Sequence, residues 1–98
     1  MKRIIDSIAK SYLSSKLILK ENELGITHRS DSYLEPYRFN VYHIEAVVSC
    51  LNDDDRLIIA NEVIAGKKGD WYHQYMSAPT YYRHRKAAYT NFLRSLKQ

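Results

Sequence analysis

Three glycines and two prolines are all that punctuate this 98-residue chain, and each falls where a helical pattern breaks. Between them, apolar residues return every three or four positions, the spacing of one helix face. No run alternates apolar and polar residues with β-branched types, so strands are not expected. The pattern predicts an all-α fold, a small bundle of about five helices.

The first helix is expected from Lys2 to Glu23. Ile5, Ile8, Tyr12 and Leu19 form its apolar stripe, with Leu13 and Leu17 beside it, and Gly25 is the stop. Ile26–Pro36 reads as a loop, because Thr27, Ser30, Asp31 and Ser32 favour turns. A second helix is expected from Pro36, whose missing N–H costs nothing in a first turn, to Cys50 or Leu51. Val41, Ile44, Val48 and Leu51 share one face of it.

Asn52 is expected to cap the third helix, with Asp53, Asp54 and Asp55 at the positive end of its dipole. The alternating acids and central glycine of a calcium loop are missing there. That helix should reach about Ala65. After Gly66-Lys67-Lys68-Gly69, Asp70 reads as the cap of a short helix, Trp71–Met76, with Trp71 as its core anchor. Ser77 caps the last helix, expected over Ala78–Ser95 with Pro79 in its first turn. Tyr81, Ala88 and Phe92 lie on one face of it, and Leu96 continues that stripe.

The length fits one helical domain over residues 1–98, with 1–50 of unassigned role and 51–96 forming the C-terminal helical part. A single cysteine, Cys50, builds no disulfide framework and points to a reducing compartment; it reads as a small core residue on a helix. No run approaches the roughly 18 apolar residues of a membrane span, so no membrane partner is expected. Asp6 and Lys10 interrupt the segment after Met1-Lys2-Arg3, which is not a secretory signal, and the cytoplasm is the expected location.

The net charge of +4 is unevenly placed. Residues 1–66 hold 8 Lys/Arg against 10 Asp/Glu, whereas residues 67–98 hold 7 Lys/Arg against Asp70 alone. Such asymmetry suggests a polyanion partner, with a merely solvated basic face as the plain alternative. Two short helices around a tight turn, the second basic, outline a helix-turn-helix. The start of the last helix would offer free amides and a positive dipole to a phosphate. Tyr82, Arg83, His84 and Lys86 lie off the apolar stripe, able to reach phosphates or base edges. Lys67 and Lys68 would grip the flanking backbone.

Nothing points to catalysis. There is no nucleophile elbow, glycine-rich phosphate loop or zinc motif. His28, His43, His73 and His84 are scattered; the sequence leaves open whether His43 and His73 meet in space, and no metal or other cofactor is expected. No enzyme is expected.

Leu57-Ile58-Ile59, Ser77-Ala78-Pro79-Thr80-Tyr81-Tyr82-Arg83, Lys86-Ala87-Ala88 and Phe92-Leu93 together resemble the C-terminal part of ArpU/RinA-type phage transcriptional regulators. More distantly they are similar to region 4 of sigma factors. The resemblance covers residues 51–96, and Ser77–Lys86 is its most specific piece. It implies binding of double-stranded DNA and control of late or mobile-element transcription, with RNA polymerase or another protein as a further partner. Carried over by position, Thr80, Tyr82, Arg83 and Lys86 would face DNA, with Ser77 at the helix start. Tyr81, Ala88 and Phe92 would pack inward, and Arg85 stands where the sigma pattern has a buried aliphatic.

Residues 1–50 carry no such resemblance. They would serve as a homodimer or partner interface, or complete the core. The alternative for the whole chain is a helical protein–protein interaction module without nucleic-acid binding. Its support is the tyrosine-rich, mixed-charge N-terminal half and the loop that contains Pro36.

Overall fold

The computed structural model describes residues 1–98 and contains helices and turns but no strand. In chain order these are α1 (Lys2–Glu23), α2 (Asp31–Ser49) and α3 (Asp53–Ile59), a π-helical turn (Ala60–Ile64), a 3-10 turn (Trp71–Gln74) and α4 (Ala78–Leu96). The expected short fourth helix, Trp71–Met76, is thus a single 3-10 turn. Asp70 precedes it without capping it by a side-chain hydrogen bond.

α1 keeps its expected bounds. It buries Ile5, Tyr12 and Ser15, while Leu13 and Leu17 are exposed. At 3.6 residues per turn, Leu13 points about 100° away from Tyr12, so both cannot serve one covered face. Ser15 is buried because Asn40 of α2 donates to its hydroxyl at 2.9 Å and to that of Ser11 at 3.0 Å.

α2 begins five residues before Pro36, at Asp31. Ser30 is its N-cap and accepts from the Tyr33 amide at 3.2 Å, which offsets one of the orphan donors of a helix start. The early start also buries Leu34. Pro36 therefore lies inside the helix and cannot donate to the Ser32 carbonyl. Both residues are exposed, on the solvent side of the helix. Cys50 is the C-terminal cap of α2 and is exposed, not part of the core.

Asn52 caps α3 as expected, accepting from the Asp55 amide at 2.9 Å. The acidic run then divides. Asp53 holds Arg56 at 3.1 Å on the surface, whereas Asp55 is buried and accepts from Asn91 of α4 at 2.7 Å. After Ile59 the winding widens into a π turn, marked by the Ala65 amide bonding the Ala60 carbonyl at 2.9 Å. Asn61 donates back to the Leu57 carbonyl at 2.7 Å, a side-chain bond that competes with the regular ladder. Gly66, at φ +66°, ends the turn in the left-handed region that glycine adopts without strain.

One contiguous cluster of 13 buried residues joins all these elements. Ile5 of α1, Ile58 and Ile59 of α3 and Phe92 of α4 have no exposed surface. Full burial of such a side chain is worth roughly 1.5–3 kcal/mol. The cluster also takes Ile44, Val48 and Leu51 from the α2 region. His43 of α2 bonds the Leu96 carbonyl at 3.1 Å and so meets the end of α4. α4 is held along its length, which fixes the direction of its free side.

Candidate nucleic-acid interface

α4 divides cleanly by burial. Tyr81, Ala88, Tyr89 and Phe92 face the core, while Arg83, Lys86, Arg94 and Lys97 are exposed. The four cations recur at helical spacing along one edge. None of them forms an ion pair. Lys67 and Lys68, on the loop before the 3-10 turn, are likewise exposed and unpaired. Of the eight cations of residues 1–66, Lys2, Lys16, Lys20, Arg38 and Arg56 each meet a carboxylate, while Arg3, Lys10 and Arg29 are exposed and unpaired.

The start of α4 offers less than expected. Ser77 is its N-cap, accepting from the Thr80 amide at 3.4 Å. Pro79 has no amide, and the Tyr81 amide bonds the Ser77 carbonyl at 2.9 Å. Of the first-turn donors, only the Ala78 amide remains for a ligand. Thr80 is half-buried, and its hydroxyl already accepts from the Ser77 hydroxyl at 3.0 Å. Ser77 and Thr80 therefore act first on each other.

Tyr82 is exposed, with its ring against Tyr72 and Tyr81. It lines one cleft with Lys67 and Lys68, and a neighbouring one with Lys86. Arg83 lies on the other flank of α4, in a cleft shared with His84, Asp54 and Asp55. The sequence-expected residues thus form a band around α4 rather than a single pocket.

The pattern reading missed Glu62. It sits in the π turn, is 5% exposed, and accepts from the hydroxyls of both Tyr81 and Tyr89. The Trp71 indole N–H donates to it at 3.0 Å, and the Lys2 ammonium lies 3.5 Å away. One carboxylate therefore ties α1, the π turn, the 3-10 turn and α4 together. Burial, and then the bond to Glu62, push the Tyr81 hydroxyl up to about 12, and Tyr89 is raised in the same way. The available signal was a lone acid among Ile58, Ile59 and Val63.

Arg85 was also left without a role. Its guanidinium lies over the rings of Tyr82, Tyr89 and Tyr81, at 4.9, 5.5 and 5.8 Å from their centroids. Stacking on aromatic faces suits a planar, weakly hydrated cation. Arg85 is thus laid against a wall of tyrosines.

His43 bonds α4, and His73 lies 3.7 Å from Asp70. No group of three or more His, Cys, Asp or Glu side chains is placed to hold a metal ion. No helix is long and apolar enough to cross a membrane. No protein-family model matches the chain, and neither a curated protein nor a solved structure matches it.

Proposed function

We propose that the chain is a DNA-binding transcriptional regulator whose α4 is the recognition helix, the last element of a helix-turn-helix. The observation that carries this reading is the outward edge of α4, where Arg83, Lys86, Arg94 and Lys97 stand exposed without a carboxylate partner. Phosphates are the natural counter-charges for such an edge, and releasing their condensed counterions drives association. The major groove, about 12 Å wide, admits an α-helix. Arg83 is suited to a bidentate contact with guanine, whereas the lysines supply mainly phosphate contacts.

The resemblance of Ser77–Lys86 to ArpU/RinA-type regulators supports the same reading and would place the protein in phage-type transcription control, with RNA polymerase or another protein as a second partner. Addition of a short duplex to isotopically labelled protein tests it. The amides of Arg83, Lys86, Thr90 and Arg94 should shift while those of α2 stay in place. Shifts confined to α1 and α2, or none, would refute it.

A second reading has its own observation. α1 and α2 leave Leu13, Leu17, Phe39 and Tyr42 more than half exposed, a surface suited to a protein interaction module or to a second copy of the chain. Under that reading, duplex leaves the spectrum unchanged.

A further inference from the structure

A second cationic site lies beside the exposed edge of α4. The N-terminus of α1, the Lys67–Gly69 loop, the 3-10 turn and the first turns of α4 enclose a cleft of about 210 Å³. Lys2, Lys67, Lys68 and Arg85 line it, with Trp71 and Tyr82 among its walls. Lys2, Tyr82 and Arg85 also line an adjoining cleft that reaches Lys86. The two clefts are therefore continuous with the edge assigned above to DNA.

Two carboxylates border this space and are outnumbered by its four cations: Glu62 lies 3.5 Å from the Lys2 ammonium, which Asp6 also meets at 3.4 Å, while Lys67, Lys68 and Arg85 form no ion pair. Glu62 is buried behind two tyrosine hydroxyls and the Trp71 indole. Asp70 points to His73 and is mostly exposed. Arg85 is half-buried, no carboxylate lies within ion-pair distance of it, and its guanidinium lies over ring faces and beside the Tyr81 hydroxyl. A guanidinium has five N–H donors, more than one hydroxyl can take. A half-buried guanidinium with donors to spare, beside the unpaired ammonium groups of Lys67 and Lys68, fits a tetrahedral oxyanion.

We propose that this cleft is a phosphate pocket that takes a backbone phosphodiester of the duplex bound by α4, with Arg85 as its chief ligand and Lys2, shared with Glu62, beside it. The proposal rests on the DNA-binding reading and deepens it. It adds a contact from the first helix, which otherwise has no part in recognition. Arg85 supplies paired donors, Lys2 supplies charge, and the glycine-flanked loop brings Lys67 and Lys68 over the opening.

Duplex affinity of the full chain, measured against salt, tests the assignment with Arg85→Gln, Lys2→Gln, Arg85→Lys and the Arg83→Ala/Lys86→Ala reference. Loss of one phosphate contact should take about 0.9 off the slope of log affinity against log salt, or about eightfold in affinity at 0.1 M salt. Arg85→Gln should approach that loss with melting still cooperative, and Lys2→Gln, whose ammonium is shared with Asp6 and Glu62, should show a smaller loss in the same direction. Arg85→Lys, which keeps the charge, should hold the wild-type slope. If the reference variant weakens binding while folded Arg85→Gln and Lys2→Gln bind as wild type, the pocket is refuted and the α4 reading stands. If the reference variant itself binds as wild type, the α4 reading fails.

Free inorganic phosphate distinguishes the source of the anion. The single tryptophan of the chain gives one indole N–H signal, and Trp71 borders the cleft. A saturable shift of that signal with phosphate, absent in Arg85→Gln, combined with unchanged duplex binding by that variant, would assign the cleft to a free phosphate and overturn the duplex assignment.

Discussion

Tyr89 of α4 donates its hydroxyl to the buried carboxylate of Glu62, 27 residues earlier in the π-helical turn. That bond, with its counterpart from Tyr81, sets how α4 is turned about its axis. Because the tyrosine edge is held inward, Arg83, Lys86, Arg94 and Lys97 are held outward. The orientation on which the proposed recognition depends thus rests on one acid in a widened turn, and π turns are frequent at functional sites in helices.

Glu62→Gln should be strongly destabilising. It removes the charge and turns one of the two acceptor oxygens that serve two hydroxyls, the Trp71 indole and Lys2 into a donor, and an unsatisfied buried donor costs about 1–3 kcal/mol. A loss of about 3 kcal/mol is expected, visible as a fall in melting temperature of more than about 10 °C for a chain of this size. Thermal melting followed by circular dichroism measures it, and a change below about 1 kcal/mol would show that the network is incidental.

Stability should fall on the alkaline side. Burial first, and then the neighbouring carboxylate, raise the hydroxyls of Tyr12 and Tyr81 to about 12 from their ordinary value of 10.0. The folded state therefore keeps protons that the unfolded state releases between pH 10 and 12. The stabilisation is whole below pH 10 and is lost as pH rises through about 12. Melting temperature recorded from pH 8 to 12 should drop over that interval, and the drop should be smaller in Tyr81→Phe.

Pro36→Ala should stabilise the protein. Inside α2, alanine restores the amide that proline withholds from the Ser32 carbonyl and removes the poorest helix former, a gain of about 1–3 kcal/mol. If α2 instead began at Pro36, where proline is favourable, the same change would be neutral or harmful. A raised urea midpoint with unchanged denaturant slope distinguishes the two.

Loss of the Ser77 cap should cost about 1 kcal/mol in Ser77→Ala. The hydroxyl bonds the Thr80 amide and the Thr80 side chain, so Thr80 becomes freer at the same time. Hydrogen exchange of the first turn of α4 should accelerate without change in α1. Equal protection in variant and wild type would contradict the capping role.

The features legible in the sequence were those made by local bonds. Asn52 and Ser77 announce their helices because each cap acts within three residues. The inward stripe of α4 followed from spacing, and so did the opposing cations. Contacts distant in sequence were not legible. Glu62 looked like an ordinary helix acid because its partners lie 9 to 60 positions away. Arg85 looked like a departure because the tyrosine faces that hold it come together only in the fold. Leu13 and Leu17 looked like core because α1 carries apolar residues on more than one face, and the packing of α2 and the π turn decides which is covered. Pro36 concealed the true start of α2, because proline in a helix interior is costly unless the freed carbonyl meets water.

The most direct test of the outward cationic edge is the salt dependence of duplex binding by wild type and by Arg83→Ala/Lys86→Ala. Removing the Lys86 phosphate contact should lower the slope of log affinity against log salt by about 0.9, and removing the Arg83 base contact should weaken binding by about 1–3 kcal/mol at every salt concentration. A folded double variant with the wild-type slope and affinity would contradict the account.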